Sequence, residues 1–217
     1  MQSKPAHPLD NVKVTLITQR SLFKERDFLP SLELALKGGV KALQLREKDL
    51  SFGELFELAQ KVKLLTAKYG AKLFINGRAD VAHKVGAEGV HLTEASVPVE
   101  EVRKHFPGLL IGVSTHSLAS ARKAEAGGAD FITFSPIFET PSKQEFGPPQ
   151  GLERLREVCG EIKIPVLALG GISKDRVIPV LDQGAFGVAL ISGIWNGADI
   201  KQESFEYTKF FGRSEPS

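Results

Sequence analysis

"ALKGGVKALQL" (residues 35–45) runs a helix tail, a glycine pair and a short apolar stretch together. The same joint returns as KVGAEGVHL (84–92), AEAGGADFITF (124–134) and LDQGAFGVALI (181–191). Glycine suits a helix C-terminus because it takes the left-handed conformation without a Cβ clash. A joint repeated along the chain therefore signals a repeated strand–helix unit. Working outward from these joints, eight apolar runs stand out. They are VKVTLIT (12–18), KALQLR (41–46), KLFIN (72–76), GVHL (89–92), LIGVST (110–115), FITFSP (131–136), PVLALGG (165–171) and GVALISGI (187–194).

The intervals between the runs read as helices. Leu55, Leu58, Ala59, Val62 and Leu65 follow the i, i+3, i+4, i+7 stripe of an amphipathic helix. Ser51 and Glu54 stand at capping-box spacing at its start. The runs are continuously apolar rather than alternating, as in parallel strands buried on both faces. Eight of them in 217 residues predict an α/β fold, a single (β/α)8 TIM barrel over residues 12–210. An N-terminal extension, 1–11, precedes it, and the polar tail 211–217 is expected to be disordered. An open doubly wound sheet is the alternative. ITQRSLF, with no G-x-G-x-x-G, follows the first run and argues against its dinucleotide-binding form.

Hydrophobic residues at 42% and charged residues at 25% are ordinary globular composition. A formal net charge of +2 gives no nucleic-acid footprint. The single cysteine, Cys159, excludes an intramolecular disulfide and any multi-cysteine metal site. No apolar signal region opens the chain and no run is long enough for a membrane span, so the expectation is a cytoplasmic protein.

Barrels of this kind carry their chemistry at the C-terminal ends of the strands. That rule selects Gln44, Arg46 and Lys48 after the second run, Asn76 and Arg78 after the third, and His91 and Glu94 after the fourth. Ser114, Thr115 and His116 follow the fifth, and a long polar loop, ETPSKQEFGPPQ (139–150), follows the sixth. Gly170-Gly171 and Ile191-Ser192-Gly193 end the last two. Glycines there let backbone N–H groups approach a phosphate, or they are simply tight turns. Gln44, Arg46 and Lys48 alternate onto one side and suit a pyrophosphate or carboxylate. The other reading is a solvated strand end with Glu47 balancing the charge. Thr140, Ser142 and Lys143 add hydroxyls and a cation in a loop long enough to close over a ligand. His91 and His116 are placed for acid–base work or for structure alone.

QLREK (44–48), N-x-R-x-D (76–80), GVHL (89–92), GVSTH (112–116), SPIFETPSK (135–143), GGI (170–172) and ISG (191–193) together resemble the thiamine phosphate synthase family from about Val14 to Trp195. The thiazole tautomerases share this barrel and much of the pattern. The resemblance implies a thiazole phosphate held by Gly171, Ile191 and Ser192, with Ser114, Thr140 and Ser142 lining the reacting region. Gln44, Arg46, Lys48, Asn76 and Lys143 would face a pyrimidine pyrophosphate. Synthases usually place two magnesium-binding aspartates where this chain has Gly77 and Ser96. That departure favours a tautomerase-like isomerase, which needs no cofactor. The tautomerase histidine, however, aligns with Pro136, which leaves Glu94, His91 or His116 to move the proton, Glu94 with a pKa raised in a desolvated mouth. The catalytic expectation is thus Glu94, His116 and Ser114, with no protein-bound metal. The alternatives are a Mg2+-dependent synthase, with Glu94 rebuilding the metal site, and a non-catalytic barrel that binds thiamine-related phosphates. The expected partners are a phosphorylated thiazole and, for a synthase, a pyrimidine pyrophosphate. A homodimer is the assembly to test.

Overall fold

The computed structural model describes residues 8, 9, 12–140 and 148–212. The eight strands are β1 (Val14–Ile17), β2 (Ala42–Leu45), β3 (Lys72–Asn76), β4 (Gly89–Leu92), β5 (Leu110–Thr115), β6 (Phe131–Phe134), β7 (Val166–Leu169) and β8 (Gly187–Leu190). Each pairs in parallel with the next, and β8 returns to β1 through Val14↔Val188 and Leu16↔Leu190, closing the barrel. The predicted (β/α)8 barrel is therefore the observed fold. Helices α1 (Glu25–Lys37), α2 (Phe52–Lys68), α3 (Ala79–Val85), α4 (Val99–His105), α5 (Leu118–Ala126), α6 (Gly151–Glu161) and α7 (Lys174–Leu181) follow the first seven strands in turn. After β8 come a short α8 (Ser192–Trp195) and then α9 (Ile200–Thr208). None of the described helices is long and apolar enough to cross a membrane.

Local chemistry sets the boundaries. Ser51 Oγ accepts the Glu54 N–H and Glu54 accepts the Ser51 N–H at 2.9 Å, the capping box that starts α2. Gly86 ends α3 in the left-handed conformation, φ 66°, where a side chain would clash with its own backbone. Two runs are shorter than the sequence suggested. β1 begins at Val14 rather than Val12, and the eighth run stops at Leu190 because Ser192 already opens α8.

Alternate strand residues divide the core in two. Leu16, Leu43, Leu73, Val90, Ile111, Ile132 and Val188 point outward into the helices and are fully or almost fully buried. Inside the barrel, Phe74 and Phe131 meet edge to face at 5.2 Å between ring centroids. They fit because two facing positions are glycine. A Cβ on Gly112 would lie 2.2 Å from the Phe131 ring, and one on Gly89 would lie 2.8 Å from Phe74. Leu9 and Val12 pack with these rings, Ala42 and Leu167 to fill the N-terminal end. Leu9 thus joins the barrel's core, although it precedes the boundary expected at residue 12. With that end filled by apolar side chains, the polar strand ends at the opposite mouth are left to form a site. At the C-terminus, Phe211 still packs against the core, and 213–217 lie outside the described residues.

Candidate functional site at the barrel mouth

The polar residues just below the mouth form a belt across β2 to β6. Gln44 is 3% exposed and its Nε2 donates to Asn76 Oδ1 at 3.0 Å, while its Oε1 is buried with no hydrogen-bond partner among the described residues. A buried amide oxygen left unmatched costs about 1–3 kcal/mol, and this one keeps an unused acceptor position. His91 is likewise buried, its Nε2 3.0 Å from Ser114 Oγ and 3.4 Å from Thr133 Oγ1. Ser114 therefore sits on a histidine held by the barrel interior. Of the polar residues expected here, the structure brings together Gln44, Asn76, His91 and Ser114.

Across the mouth, the ends of β7 and β8 form a second feature. Thr140, Gly170, Gly171, Ile191, Ser192 and Gly193 line one concavity. Gly170 and Gly171 both have positive φ, 104° and 64°. Their missing side chains admit the base of the β6–α6 loop: a Cβ on Gly170 would lie 2.8 Å from Pro136 Cα. Phe138 N–H donates to Gly170 O at 3.0 Å, and Arg176 donates to Gly171 O at 2.7 Å with its guanidinium over the Phe138 ring. The floor of the concavity is thus fixed from both sides. The Ser192 and Gly193 N–H groups open α8, where a helix provides no internal acceptor.

Arg46, half-buried, and Lys48, exposed, lie just past the C-terminal end of β2. Glu47 between them is buried, and sequence reasoning gave it only a charge-balancing role. Its carboxylate accepts the Thr18 hydroxyl and the Arg20 N–H, and burial raises its pKa. The signal was one unpaired acidic residue inside a cationic strand end.

Other expectations need correction. Glu94 is exposed, not desolvated. Its Oε1 accepts the His116 N–H at 3.2 Å, and it lines an outer cleft between α4 and α5 with Val97, Ser120 and Lys123. The reason is the turn after β4, where Ser96 Oγ accepts the Thr93 N–H at 2.9 Å and carries this segment along the rim. The His116 ring donates from Nδ1 to Ser135 O at 2.6 Å, so that nitrogen is engaged with the backbone. Ser142 and Lys143 lie outside the described residues.

A family profile described as thiamine monophosphate synthase matches residues 14–194, which span every strand of the barrel. The chain belongs to the thiamine-phosphate synthase family. An Aquifex aeolicus relative named "Putative thiamine-phosphate synthase 2" is 50% identical over 176 residues, covering 81% of this chain and 94% of that protein. A Syntrophomonas wolfei protein named thiamine-phosphate synthase is 38% identical, with 92% and 96% covered. The solved thiamine phosphate pyrophosphorylase of Pyrococcus furiosus superposes with a TM-score of 0.85 at 36% identity, covering 92% of this chain and 95% of that one. These relatives are named for synthase activity, and none of the three names mentions a tautomerase.

Synthases of this family are associated with Mg2+, which needs oxygen ligands, carboxylates above all. The residues at the β3–β4 rim do not fit it. Gly77 has no side chain, and Ser96 Oγ is already tied to the Thr93 N–H and hydroxyl. Asp80 is held in a two-point pair with Arg78 at 2.9 and 2.7 Å, which lowers its pKa. Glu94 is turned to the His116 amide. Among the described residues no three His, Cys, Asp or Glu side chains converge on one point.

Proposed function

We propose that this chain joins hydroxymethylpyrimidine pyrophosphate to thiazole phosphate and releases pyrophosphate, the reaction named by its relatives. The carbon–oxygen bond between the pyrimidine methylene and the pyrophosphate breaks, and the methylene carbon bonds to the thiazole nitrogen. The observation that carries the reading is the two-sided mouth. A glycine-built concavity on β7 and β8 faces a cationic strand end on β2 across a buried polar belt. Two phosphorylated substrates call for two such sides.

In this reading Gly170, Gly171, Ile191, Ser192 and Gly193 hold the thiazole phosphate through backbone N–H groups, with Thr140 beside them. Gln44 and Asn76 take the pyrimidine, the unmatched Gln44 oxygen accepting from a ring amino group. Arg46 and Lys48 face the pyrophosphate. Ser114 lies between the two sides. Fixed cations aimed at a departing pyrophosphate stabilise the charge that develops as it leaves. No metal step is assigned, because the rim lacks the ligands for one.

The isomerase reading draws on Gly77 and Ser96 and would leave its proton transfer to His91 or His116. Pro136 has no proton to give, and Glu94 sits on the exposed rim. The two readings part in one assay. The purified chain is given either the two synthase substrates or the carboxylated thiazole phosphate alone. Thiamine phosphate from the first, lost in Lys48→Ala, supports the proposal. Isomerisation of the second with no coupling puts the tautomerase in its place, and binding without any turnover leaves the regulatory barrel.

A further inference from the structure

Glu47 is a costly residue to bury. It is 9% exposed, and among the described residues no cationic side chain is hydrogen-bonded to its carboxylate. A buried carboxylate costs several kcal/mol unless hydrogen bonds replace its water. Here they come from the end of β1. Oε1 accepts the Thr18 hydroxyl at 2.5 Å, and the Arg20 N–H lies 3.1 Å from each oxygen. The Arg20 guanidinium turns instead to Asp49.

Thr18 passes this anchoring on. Its Oγ1 donates to Glu47 and accepts the Arg46 N–H at 2.9 Å, while its own N–H donates to Gln44 O at 2.9 Å. The segment Gln44-Leu45-Arg46-Glu47 is thereby tied to Thr18, just past β1, at three points: the main chain of Gln44 and of Arg46, and the side chain of Glu47. Beyond Leu45 the sheet pairing ends, and these bonds are what continue to fix the chain. Arg46, whose N–H is held, and Lys48 are the cations on either side of Glu47.

We propose that Glu47 is a positioning residue, with Thr18 as its relay, that holds Arg46 and Lys48 in place for the pyrophosphate group of the pyrimidine substrate. This rests on the reading of the mouth as a two-substrate site. Glu47 touches neither substrate. It acts through the backbone of the residues that do. The burial that raises its pKa, against the opposing pull of Arg20 and with the added push of Asp49, agrees with a carboxylate kept for its hydrogen bonds.

The test is calorimetric titration of the purified chain with hydroxymethylpyrimidine pyrophosphate and, separately, with thiazole phosphate. The variants are Glu47→Gln, Thr18→Val and Thr18→Ser. Losing one charge-assisted bond corresponds to about a tenfold change in affinity. Glu47→Gln and Thr18→Val are expected to weaken the pyrimidine ligand by about that factor. They should leave thiazole phosphate within about twofold, and Thr18→Ser should restore wild-type binding. A purely structural clamp would lower stability without separating the two ligands. If the wild type binds both and the variants weaken both equally or neither, the positioning role is refuted while the two-substrate reading stands. If the wild type binds neither, the reading of the mouth fails and takes the positioning role with it.

Discussion

Replacing Gly171 by alanine puts a methyl group 2.6 Å from the Glu139 carbonyl oxygen and 2.8 Å from Phe138 Cβ. The backbone there has φ 64°. Gly77 offers a matched control. Its φ is 69°, yet an added Cβ meets nothing within 4 Å. Both substitutions carry the left-handed penalty of about 1–2 kcal/mol. Only Gly171→Ala adds the cost of pushing the loop base outward, about 1–3 kcal/mol for a well-packed contact. In a chain of this size each kcal/mol lowers Tm by about 2–4 °C. Gly77→Ala should therefore lose only a few degrees, and Gly171→Ala about twice as much or more. The displaced loop would also strain the Phe138–Gly170 hydrogen bond at the rim of the concavity. Thiazole phosphate should consequently bind Gly171→Ala at least about tenfold more weakly and bind Gly77→Ala as it does the wild type. Urea denaturation and titration calorimetry measure both. Equal stability losses in the two variants, with binding intact, would refute the steric argument for the cup.

Other consequences follow from the same geometry. Manganese added to the free chain should keep its unbound paramagnetic resonance signal at sub-millimolar concentration. The double variant Gly77→Asp, Ser96→Asp should quench that signal, and wild-type binding as tight as the variant's would show that the rim does hold a cation. Burial raises the Cys159 thiol pKa to about 11. Its reaction with an aromatic disulfide reagent at neutral pH should be about a hundredfold slower in the folded chain than in urea, and equal rates would contradict its burial. Glu47, with a raised pKa beside Arg20 and Asp49, binds a proton more readily folded than unfolded. Its titration thus contributes stability that is present below the ordinary carboxylate range and lost as pH rises through the raised value. The stability of the wild type relative to Glu47→Gln should fall as pH rises above the ordinary carboxylate range, and a rise would reverse the assigned direction.

The barrel was legible because its signal is repeated. Apolar runs and glycine joints each specify the same unit, so an error in one is outvoted by the others. The glycine joints also carry a second code that periodicity does not reveal. Glu88, just before β4, accepts the Leu73 N–H and a bond from Lys63. Asp130, just before β6, does the same for the Ile111 N–H and Arg103. Acidic residues at strand entries therefore lock the neighbouring strand and helix, and they are recognisable only once the register is known.

The site was legible where residues lie within or directly against a strand. Gln44, Asn76, Ser114 and the glycines of the last two strands fall where the alternation and the barrel rule place them. Residues past a strand end were harder, since a turn decides which way they face. Thr93–Ser96 carries Glu94 onto the rim, and the bonds from Thr18 and Arg20 draw Glu47 into the protein. Both carboxylates follow short polar segments of similar appearance, and their surroundings are opposite.

The most direct test of the account is product formation by the purified chain supplied with hydroxymethylpyrimidine pyrophosphate and thiazole phosphate, in parallel with magnesium and with EDTA. Thiamine phosphate and pyrophosphate appearing in equal amounts, and only when both substrates are present, is the predicted result. No product from a chain shown by calorimetry to bind both substrates would contradict it.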